Sequence, residues 1–270
     1  MTNASSRHIS AFAKRAALLM TGAGLLAIAA CSDENSSANA LVQPDSILVA
    51  QAETSDTTPA TNGASDTSKA ETTLTPASEV PESDGSVDVN DLMAQEALPD
   101  VVIGDPNAPV TIVEYASMTC SHCANFHETT YPAIKKAYLD TGKAKLIIRE
   151  FPFDPRALAA FMLARCAGDD AKRTAMVDVL FDQQRSWAGA ENASEALLKI
   201  WRMAGLSQDD FVACLNDREL QEKIVAVQQR GQNTFDVNAT PTFFVNGKKY
   251  SGEMSAPQMA AVIEAATPSN

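Results

Sequence analysis

The chain contains two cysteines two residues apart, in the segment Cys120-Ser121-His122-Cys123. They follow an apolar, strand-like run from Val110 to Tyr115 and precede a stretch with helical periodicity. Cysteines at this spacing on the first turn of a helix can form a disulfide with each other. The free N–H groups and the positive dipole end of that helix favour a thiolate at the first cysteine, which makes the disulfide a stronger oxidant. By itself the motif is also compatible with half of a zinc site.

A second motif lies near the C-terminus. The residues from Ala239 to Lys248 predict a strand, a tight turn at Asn246-Gly247 and a second strand. Pro241 stands at the start of the first strand, where a residue without an N–H group is tolerated. An ordinary proline on an edge strand would also fit this pattern.

The pairing of a C-x-x-C motif after an early strand with a Thr-Pro pair before a late hairpin resembles the thioredoxin superfamily. In that superfamily a cis peptide bond to proline faces the active-site disulfide. The resemblance therefore implies that Thr240 and cis-Pro241 face Cys120 and Cys123.

The N-terminus has the pattern of a bacterial export signal. Basic residues at positions 7, 14 and 15 precede an apolar run that is too short to be a comfortable membrane span. The run ends in Ile28-Ala29-Ala30-Cys31, which resembles a lipobox whose cysteine receives lipid. We therefore predict a signal peptide of the lipoprotein type over residues 1–30 and lipidation at Cys31. Ordinary cleavage after Ala29 or Ala30 is the alternative, and either route exports the protein.

Residues 31–100 are rich in Ser, Thr, Ala and Pro, and hold fourteen acidic residues against the single base Lys69. The balance of this segment equals the net charge of −13 for the whole chain. Too little apolar surface is present to offset the entropy of ordering, so the sequence predicts a disordered acidic linker. No basic patch suits nucleic acid, and no later apolar run is long enough to span a membrane.

Cysteine usage indicates an oxidising compartment. Of the five cysteines, Cys31 belongs to the signal and two belong to the C-x-x-C motif. An even remainder in an exported protein predicts a structural disulfide between Cys166 and Cys214.

From residue 101 onward the predicted elements define an α/β fold. A strand, a helix kinked near Pro132 and a strand ending at Arg149 form a βαβ unit. Only helical periodicity follows over about residues 155–235, and a hairpin and a last helix complete the chain. This order predicts a thioredoxin fold with an inserted all-helical domain, over residues 101–270.

This architecture resembles the DsbA family of exported disulfide oxidoreductases, and most of all its alphaproteobacterial branch, which has a second cysteine pair in the insertion. Three segments carry the resemblance: Glu114 to His127, Arg149 to Phe153, and Thr240 to Gly247. Two positions depart from the family. Ser121 stands where the family usually has Pro, and Thr240 stands where the best-known oxidases have Val.

The resemblance and the helix-terminus argument together assign roles. Cys120 is expected to be the exposed nucleophile and Cys123 the resolving partner. The His122 side chain is expected to lower the pKa of Cys120 by a hydrogen bond or positive charge. Glu114 is expected to be the buried acid that assists proton transfer, although a strand-end carboxylate facing water would fit the same position.

His127 lies four residues after Cys123, on the same face of a helix. A site for Cu(I) or Zn formed by Cys120, Cys123 and His127 is conceivable, but a fourth ligand is missing nearby. We therefore expect no metal, and a surface position for His127.

The sequence thus predicts a monomeric dithiol oxidase without a cofactor, held by lipid on the inner or outer membrane and facing the periplasm of a Gram-negative bacterium. Reduced, unfolded secreted proteins are its expected substrates, and a quinone-linked integral-membrane protein is its expected reoxidant. A reductase or isomerase kept in the reduced form is the first alternative, with Thr240 as a mild indication. A copper-binding thioredoxin-like module is the second.

Overall fold

A computed structural model describes residues 74–269. The predicted signal peptide, Cys31 and the first part of the predicted linker lie outside the described residues. Between residues 74 and 269, no helix combines the length and the apolar character needed to cross a bilayer.

The centre of the fold is a six-stranded mixed sheet with the strand order β1-β6-β5-β3-β4-β2. The strands are β1 Gly85–Ser86, β2 Val102–Gly104, β3 Val110–Ala116, β4 Ala144–Glu150, β5 Thr242–Val245 and β6 Lys248–Ser251. Only β3 and β4 pair in parallel, and every other neighbouring pair is antiparallel. The two central strands are buried almost throughout, as expected for a sheet covered by helices on both faces.

The helical segment that connects β3 to β4 is continuous but irregular. It consists of α2 Ser121–Asn125, a wide π-type turn Phe126–Thr130, α3 Tyr131–Ile134 and a second π-type turn Lys135–Leu139. The sequence predicted a kink near Pro132. Because proline has no N–H group to donate, the regular hydrogen-bond ladder cannot be kept there, and a π-type turn precedes this residue.

The inserted domain begins with α4 and ends with α9, so the predicted insertion and the thioredoxin fold are confirmed. Its helices are α4 Pro155–Cys166, α5 Asp170–Asp182, α6 Gln184–Trp187, α7 Ala193–Met203, α8 Gln208–Leu215 and α9 Arg218–Phe235. The structure joins Cys166 on α4 to Cys214 on α8 in a disulfide with a Cα–Cα distance of 6.1 Å. After the hairpin, α10 Ala256–Ala266 completes the fold.

The turn between β5 and β6 is the two-residue Asn-Gly connection that the sequence predicted. Asn246 and Gly247 have φ angles of 45° and 84°, the left-handed values that favour these two residues in a tight hairpin. A Cβ atom on Gly247 would lie 2.7 Å from the carbonyl oxygen of Val87. The hairpin therefore needs glycine at this position both for its backbone angle and because the backbone of Val87 lies so close to it.

The prediction of a disordered linker up to residue 100 is wrong for its last part, residues 74–100. There, β1 pairs with β6, and the short helix α1 Val89–Leu92 is capped by the carboxylate of Asp88. The physical reason lies in the folded domain, where Arg149 is buried and needs anionic partners.

Two of the acidic residues assigned to the linker supply those partners. The Asp100 carboxylate accepts two hydrogen bonds from Arg149, at 3.0 and 2.8 Å, and Glu96 Oε1 lies 3.0 Å from Arg149 Nη1. Glu96 also lies 3.2 Å from Nε of Arg230 on α9. Composition alone could not separate these two acids from the others, because their function depends on arginines far along the chain.

We predict that the double variant Glu96→Gln/Asp100→Asn loses about 3–5 kcal/mol of unfolding free energy, since it leaves the buried Arg149 charge without an anionic partner. Chemical denaturation of the purified protein measures this loss. The exposed Asp91 is the matched control, and Asp91→Asn should stay within about 0.5 kcal/mol of the unsubstituted protein. A double variant as stable as that control would show that the ion pairs of Glu96 and Asp100 with Arg149 do not stabilise the domain.

Candidate active site

The C-x-x-C segment lies where β3 ends and the chain turns into α2. Cys120 occupies the N-cap position of α2 with an extended backbone. Cys123 lies on the first turn of α2 and is 0% exposed, whereas Cys120 is partly exposed. Both are free thiols in the structure. Cys120 is therefore the sulfur of this pair that another molecule can approach.

Several donors converge on the Cys120 sulfur. A hydrogen bond from the Cys123 thiol has the largest effect, and it outweighs partial burial in lowering the pKa of Cys120 to about 5. The Thr240 side chain and the backbone N–H groups of Cys123 and His122 lower this pKa further. The two backbone N–H groups are unpaired donors at the N-terminus of α2, and both point to the Cys120 sulfur. At neutral pH the Cys120 side chain is therefore a thiolate.

The pKa of Cys123 moves in the opposite direction. Burial raises it well above the ordinary thiol value, and the adjacent Cys120 sulfur and the charge of Glu114 raise it further. Cys123 therefore holds its proton at neutral pH. Cys120 is charged and accessible, which suits it to form a mixed disulfide. Cys123 is neutral and buried beside it, which suits it to resolve that mixed disulfide.

Thr240 and Pro241 lie against the Cys120 sulfur, and the peptide bond between them is cis. The protonated thiol of Cys120 donates to the carbonyl oxygen of Thr240 over 3.2 Å. The Thr240 hydroxyl is buried and has no partner of its own among the described residues, so it is available to donate to the thiolate. A valine at this position could not make that contact.

Glu114 lies on β3 and is fully buried, so it is not a strand-end carboxylate facing water. Its Oε2 atom lies 2.9 Å from Nε2 of His127. The His127 ring stacks on Phe181 of α5 with a centroid distance of 4.2 Å.

The prediction of a surface position for His127 is wrong, because this residue is only 6% exposed and belongs to the site. One of its two ring nitrogens, Nε2, is paired with Glu114. Among residues 74–269, no three His, Cys, Asp or Glu side chains are grouped so that they could hold a metal ion.

The structure also differs from the expectation for the His122 side chain. Its Nδ1 atom lies 3.2 Å from Oε2 of Glu253, and the side chain is 71% exposed. What acts on Cys120 is the backbone N–H group of His122. Glu253, which also accepts a hydrogen bond from Asn125, draws the imidazole toward the loop after β6.

Gln184 is a site residue that sequence reasoning missed. From α6 in the inserted domain, its buried amide nitrogen donates to the carbonyl oxygens of Met118 and Cys120, each over 2.9 Å. These bonds hold the active-site loop at the point where α2 begins. No signal in the sequence marks Gln184, since it stands 64 positions after Cys120 in a helix of ordinary composition.

We predict that Gln184→Leu loses about 1–3 kcal/mol of unfolding free energy, because it leaves the buried Met118 carbonyl unpaired. It should also raise the Cys120 pKa, since the donors on that sulfur depend on the loop geometry. Thermal unfolding and a thiolate titration measure the two effects. Gln221→Leu, on the exposed face of α9, is the matched control. An unchanged Cys120 pKa in Gln184→Leu would contradict the positioning role.

Two further predicted sites are separate from this one. Cys166 and Cys214 form the disulfide within the insertion, and neither is a free thiol in the structure. Cys31 lies outside the described residues, so its lipidation stays a prediction.

Comparison with known proteins places this geometry in a family. The sequence profile of the family described as thioredoxin matches residues 96–265. The crystal structure of Wolbachia pipientis alpha-DsbA1 is 35% identical in sequence, with a TM-score of 0.61. That match covers 65% of this chain and 94% of the Wolbachia protein. Oxidised BdbD from Bacillus subtilis has a TM-score of 0.57 at 19% identity, a likeness that concerns the fold alone.

Relatives from Rickettsia are also similar. A protein of Rickettsia typhi, provisionally named a protein-disulfide oxidoreductase, is 37% identical over 148 residues, which are 55% of this chain and 55% of the relative. A Rickettsia felis protein with the same provisional name is 34% identical over 167 residues, 62% of this chain and 60% of the relative. The matches thus span little more than half the length of these relatives.

The paired cysteines at a helix N-terminus, the cis proline beside them and the helical insertion occur here together with a family match over most of the described residues. The chain belongs to the DsbA-like family of the thioredoxin superfamily, in its alphaproteobacterial branch.

Proposed function

We propose that the protein is a thiol:disulfide oxidoreductase that works as a dithiol oxidase, donating a Cys120–Cys123 disulfide to other proteins. The observation that carries this proposal is the pKa of Cys120, lowered to about 5 by the Cys123 thiol and by donors at the start of α2. Because the thiolate exists only in the reduced form, its stabilisation favours reduction of the disulfide. A disulfide of this kind tends to be passed on to a substrate.

The two cysteines would act in order. A substrate thiolate attacks Cys120 Sγ, a new S–S bond forms, and Cys123 leaves with the electron pair and takes up a proton. A second substrate thiolate then attacks the substrate sulfur of this mixed disulfide. The oxidised substrate departs, and Cys120 leaves as a stabilised thiolate. The low pKa of Cys120 makes it the better leaving group in this second step.

A groove next to Thr240 supports a polypeptide substrate. It has a volume of about 650 Å³ and is lined by polar side chains, including His122, Asn125, Thr129, Thr130 and Glu253. An extended chain could lie there with its cysteine facing Cys120. Reduced, unfolded secreted proteins are the substrate class that we propose.

The protein would return to the oxidised form through a quinone-linked membrane protein and would face the periplasm. The export signal and Cys31 in the sequence support this location, with lipid at Cys31 as the membrane anchor. A reductase or isomerase is the competing function, and Thr240 is the residue that suggests it.

The redox state of Cys120 in the living cell tests the proposal. Cells are quenched in acid, free thiols are alkylated with a reagent that adds mass, and the protein is detected on a gel. An oxidase should be found mainly with Cys120 and Cys123 in a disulfide. A protein found mainly with both thiols free would instead be a reductase or isomerase.

A further inference from the structure

The burial of Cys123 separates its thiol from solvent. In each direction of exchange Cys123 must gain or lose a proton, yet its side chain is 0% exposed. The proton therefore has to pass through protein groups. The first of them is Glu114, whose charge acts on Cys123 and whose side chain is also fully buried. Glu114 itself needs a route to solvent.

His127 provides the next step away from Cys123. Its Nε2 atom is paired with Glu114 Oε2 at 2.9 Å, while its other nitrogen, Nδ1, is buried without a partner among the described residues. An imidazole can accept a proton at one nitrogen and release it from the other. A ring with one nitrogen on a buried acid and the other unpaired is arranged for such a transfer.

The buried surroundings of His127 contain further unpaired polar atoms. The hydroxyl of Tyr131 and Oδ1 of Asp178 are buried and have no hydrogen-bond partner among residues 74–269. The Tyr131 and His127 rings have centroids 5.1 Å apart, and Asp178 lies on α5 one turn before Phe181, on which His127 stacks. Clustered buried donors and acceptors of this kind are usually joined by ordered water.

Asp178 is the member of this group that is partly exposed. Burial raises its pKa, while the charges of His127 and Lys135 lower it, so the carboxylate senses both the imidazole and the protein surface. Burial also raises the pKa of Tyr131, and Asp178, Asp140 and Glu114 add to this effect. The charged groups that act on this cluster are thus Glu114 on β3, Asp178 on α5, Lys135 at the start of the second π-type turn and Asp140 just after it.

We propose that His127 is a positioning residue that relays protons between Glu114 and Asp178, so that the buried Cys123 exchanges its proton with solvent on the α5 side of the molecule. This inference rests on the proposed function, because it concerns the proton that Cys123 gives up or receives. The Cys120 sulfur is then exposed on one side of α2, while the proton of Cys123 leaves on a different side of this helix.

The transfer of the Cys123 proton can be followed in a single intramolecular step. The starting species is the mixed disulfide of Cys120 with glutathione. The Cys123 thiol gives its proton to Glu114, and its sulfur forms a bond to Cys120 Sγ. The Cys120–glutathione bond breaks, and the released glutathione thiolate takes a proton from water. The rate of glutathione release, measured by rapid mixing over a range of pH, reports the deprotonation of Cys123.

In His127→Gln the amide can still donate to Glu114 but cannot relay a proton. We expect its glutathione release at neutral pH to be slower by about tenfold to a hundredfold, below the full range seen for direct acid–base groups because His127 acts through Glu114. The rate should rise steadily with pH and should recover partly when imidazole is added. The reaction of Cys120 with glutathione disulfide, which does not need this proton, should stay within about twofold.

Asp178→Asn tests the exit of the path independently if His127→Gln folds poorly. It should slow the same step at neutral pH, whereas Asp182→Asn, an exposed residue one turn further along α5, should not. Unchanged release rates and pH profiles in His127→Gln, or in Asp178→Asn, would overturn the relay. A failure of Cys120 to react with glutathione disulfide in the unsubstituted protein would instead refute the proposed function.

Discussion

Cys120→Ser is expected to reduce the oxidation of a reduced, unfolded protein to the background rate. With a pKa of about 5, Cys120 is about 99% thiolate at pH 7, whereas a free thiol of pKa about 8.5 is only about 3% thiolate. A serine hydroxyl stays protonated at this pH and cannot form a mixed disulfide. Recovery of activity in a reduced substrate enzyme, such as a ribonuclease, measures the effect. Activity close to that of the unsubstituted protein would contradict the assignment of the nucleophile.

Cys123→Ser is the partner experiment and should give a different result. It leaves the Cys120 thiolate in place but removes the thiol that resolves the mixed disulfide. Complexes between Cys120 and substrates should therefore accumulate and appear on non-reducing gels. Complexes trapped through Cys123 in a Cys120→Ser background would reverse the two roles.

The second large effect concerns the stability of the reduced and oxidised forms as a function of pH. The folded pKa of Cys120 is about 5, below its value in the unfolded chain. A group with a lowered pKa stabilises the fold fully above its unfolded pKa of about 8.5, and this stabilisation is lost as the pH falls to about 5. The disulfide form has no such group. The stability of the reduced form relative to the oxidised form should therefore rise between pH 5 and pH 8.5.

The size of this effect follows from the cost of one pKa unit, about 1.4 kcal/mol. A shift from about 8.5 to about 5 corresponds to about 5 kcal/mol, and because the sulfur is partly exposed we discount the total to about 3 kcal/mol between pH 5 and pH 8. The disulfide opposes this with a contribution of about 2 kcal/mol that does not depend on pH, from its constraint on the unfolded chain. The oxidised form should thus be the more stable at pH 5 and the reduced form at pH 8.

Thermal unfolding of both forms across this range tests the prediction. A change of about 3 kcal/mol corresponds to a shift of about 6–12 °C in the difference between the two melting temperatures. Reduced Cys120→Ser is the control, and its stability should lack the component that rises between pH 5 and pH 8.5. An oxidised form that melts higher than the reduced form by the same margin at every pH would contradict the proposal that the protein is a dithiol oxidase.

The sequence predicted the features that depend on local pattern and spacing. Cysteines at i and i+3 before a helical stretch, a Thr-Pro pair before an Asn-Gly turn, and a long block of helical periodicity were enough to predict the fold. Each is a short-range signal, since a helix start, a tight turn or an amphipathic face is determined by neighbouring residues. The resemblance to a known family was needed to predict that the cysteine pair and the Thr-Pro pair face each other.

The sequence could not predict features that depend on partners distant in the chain. The sequence predicts a surface position for His127 because no fourth metal ligand stands nearby, but its partners Glu114 and Phe181 lie on β3 and α5. The sequence does not distinguish Glu96 and Asp100 from the other linker acids, because their partner Arg149 stands about 50 positions later in the chain. Gln184 acts on the active-site loop from the inserted domain. In each case tertiary packing, and not residue type, determines the function.

The contacts of the His122 side chain are a further feature that the sequence could not predict. Its position between the two cysteines suggested a direct contact with the Cys120 sulfur, but the carboxylate of Glu253, from a loop 131 positions later, pairs with the imidazole. The pKa of Cys120 is lowered without it, by the Cys123 thiol, by the Thr240 side chain and by backbone N–H groups. His122→Ala should therefore change this pKa less than Cys123→Ala, which removes the donor with the largest effect.

The proposed chemistry depends on Cys120 being a thiolate at neutral pH. Titration of the ultraviolet thiolate absorbance of the reduced protein, with Cys120→Ser subtracted as the blank, measures it most directly. We predict a single transition with a midpoint near pH 5 and no second thiolate below the ordinary thiol range, because the pKa of Cys123 is raised. A midpoint near the free-thiol value of about 8.5 would contradict it.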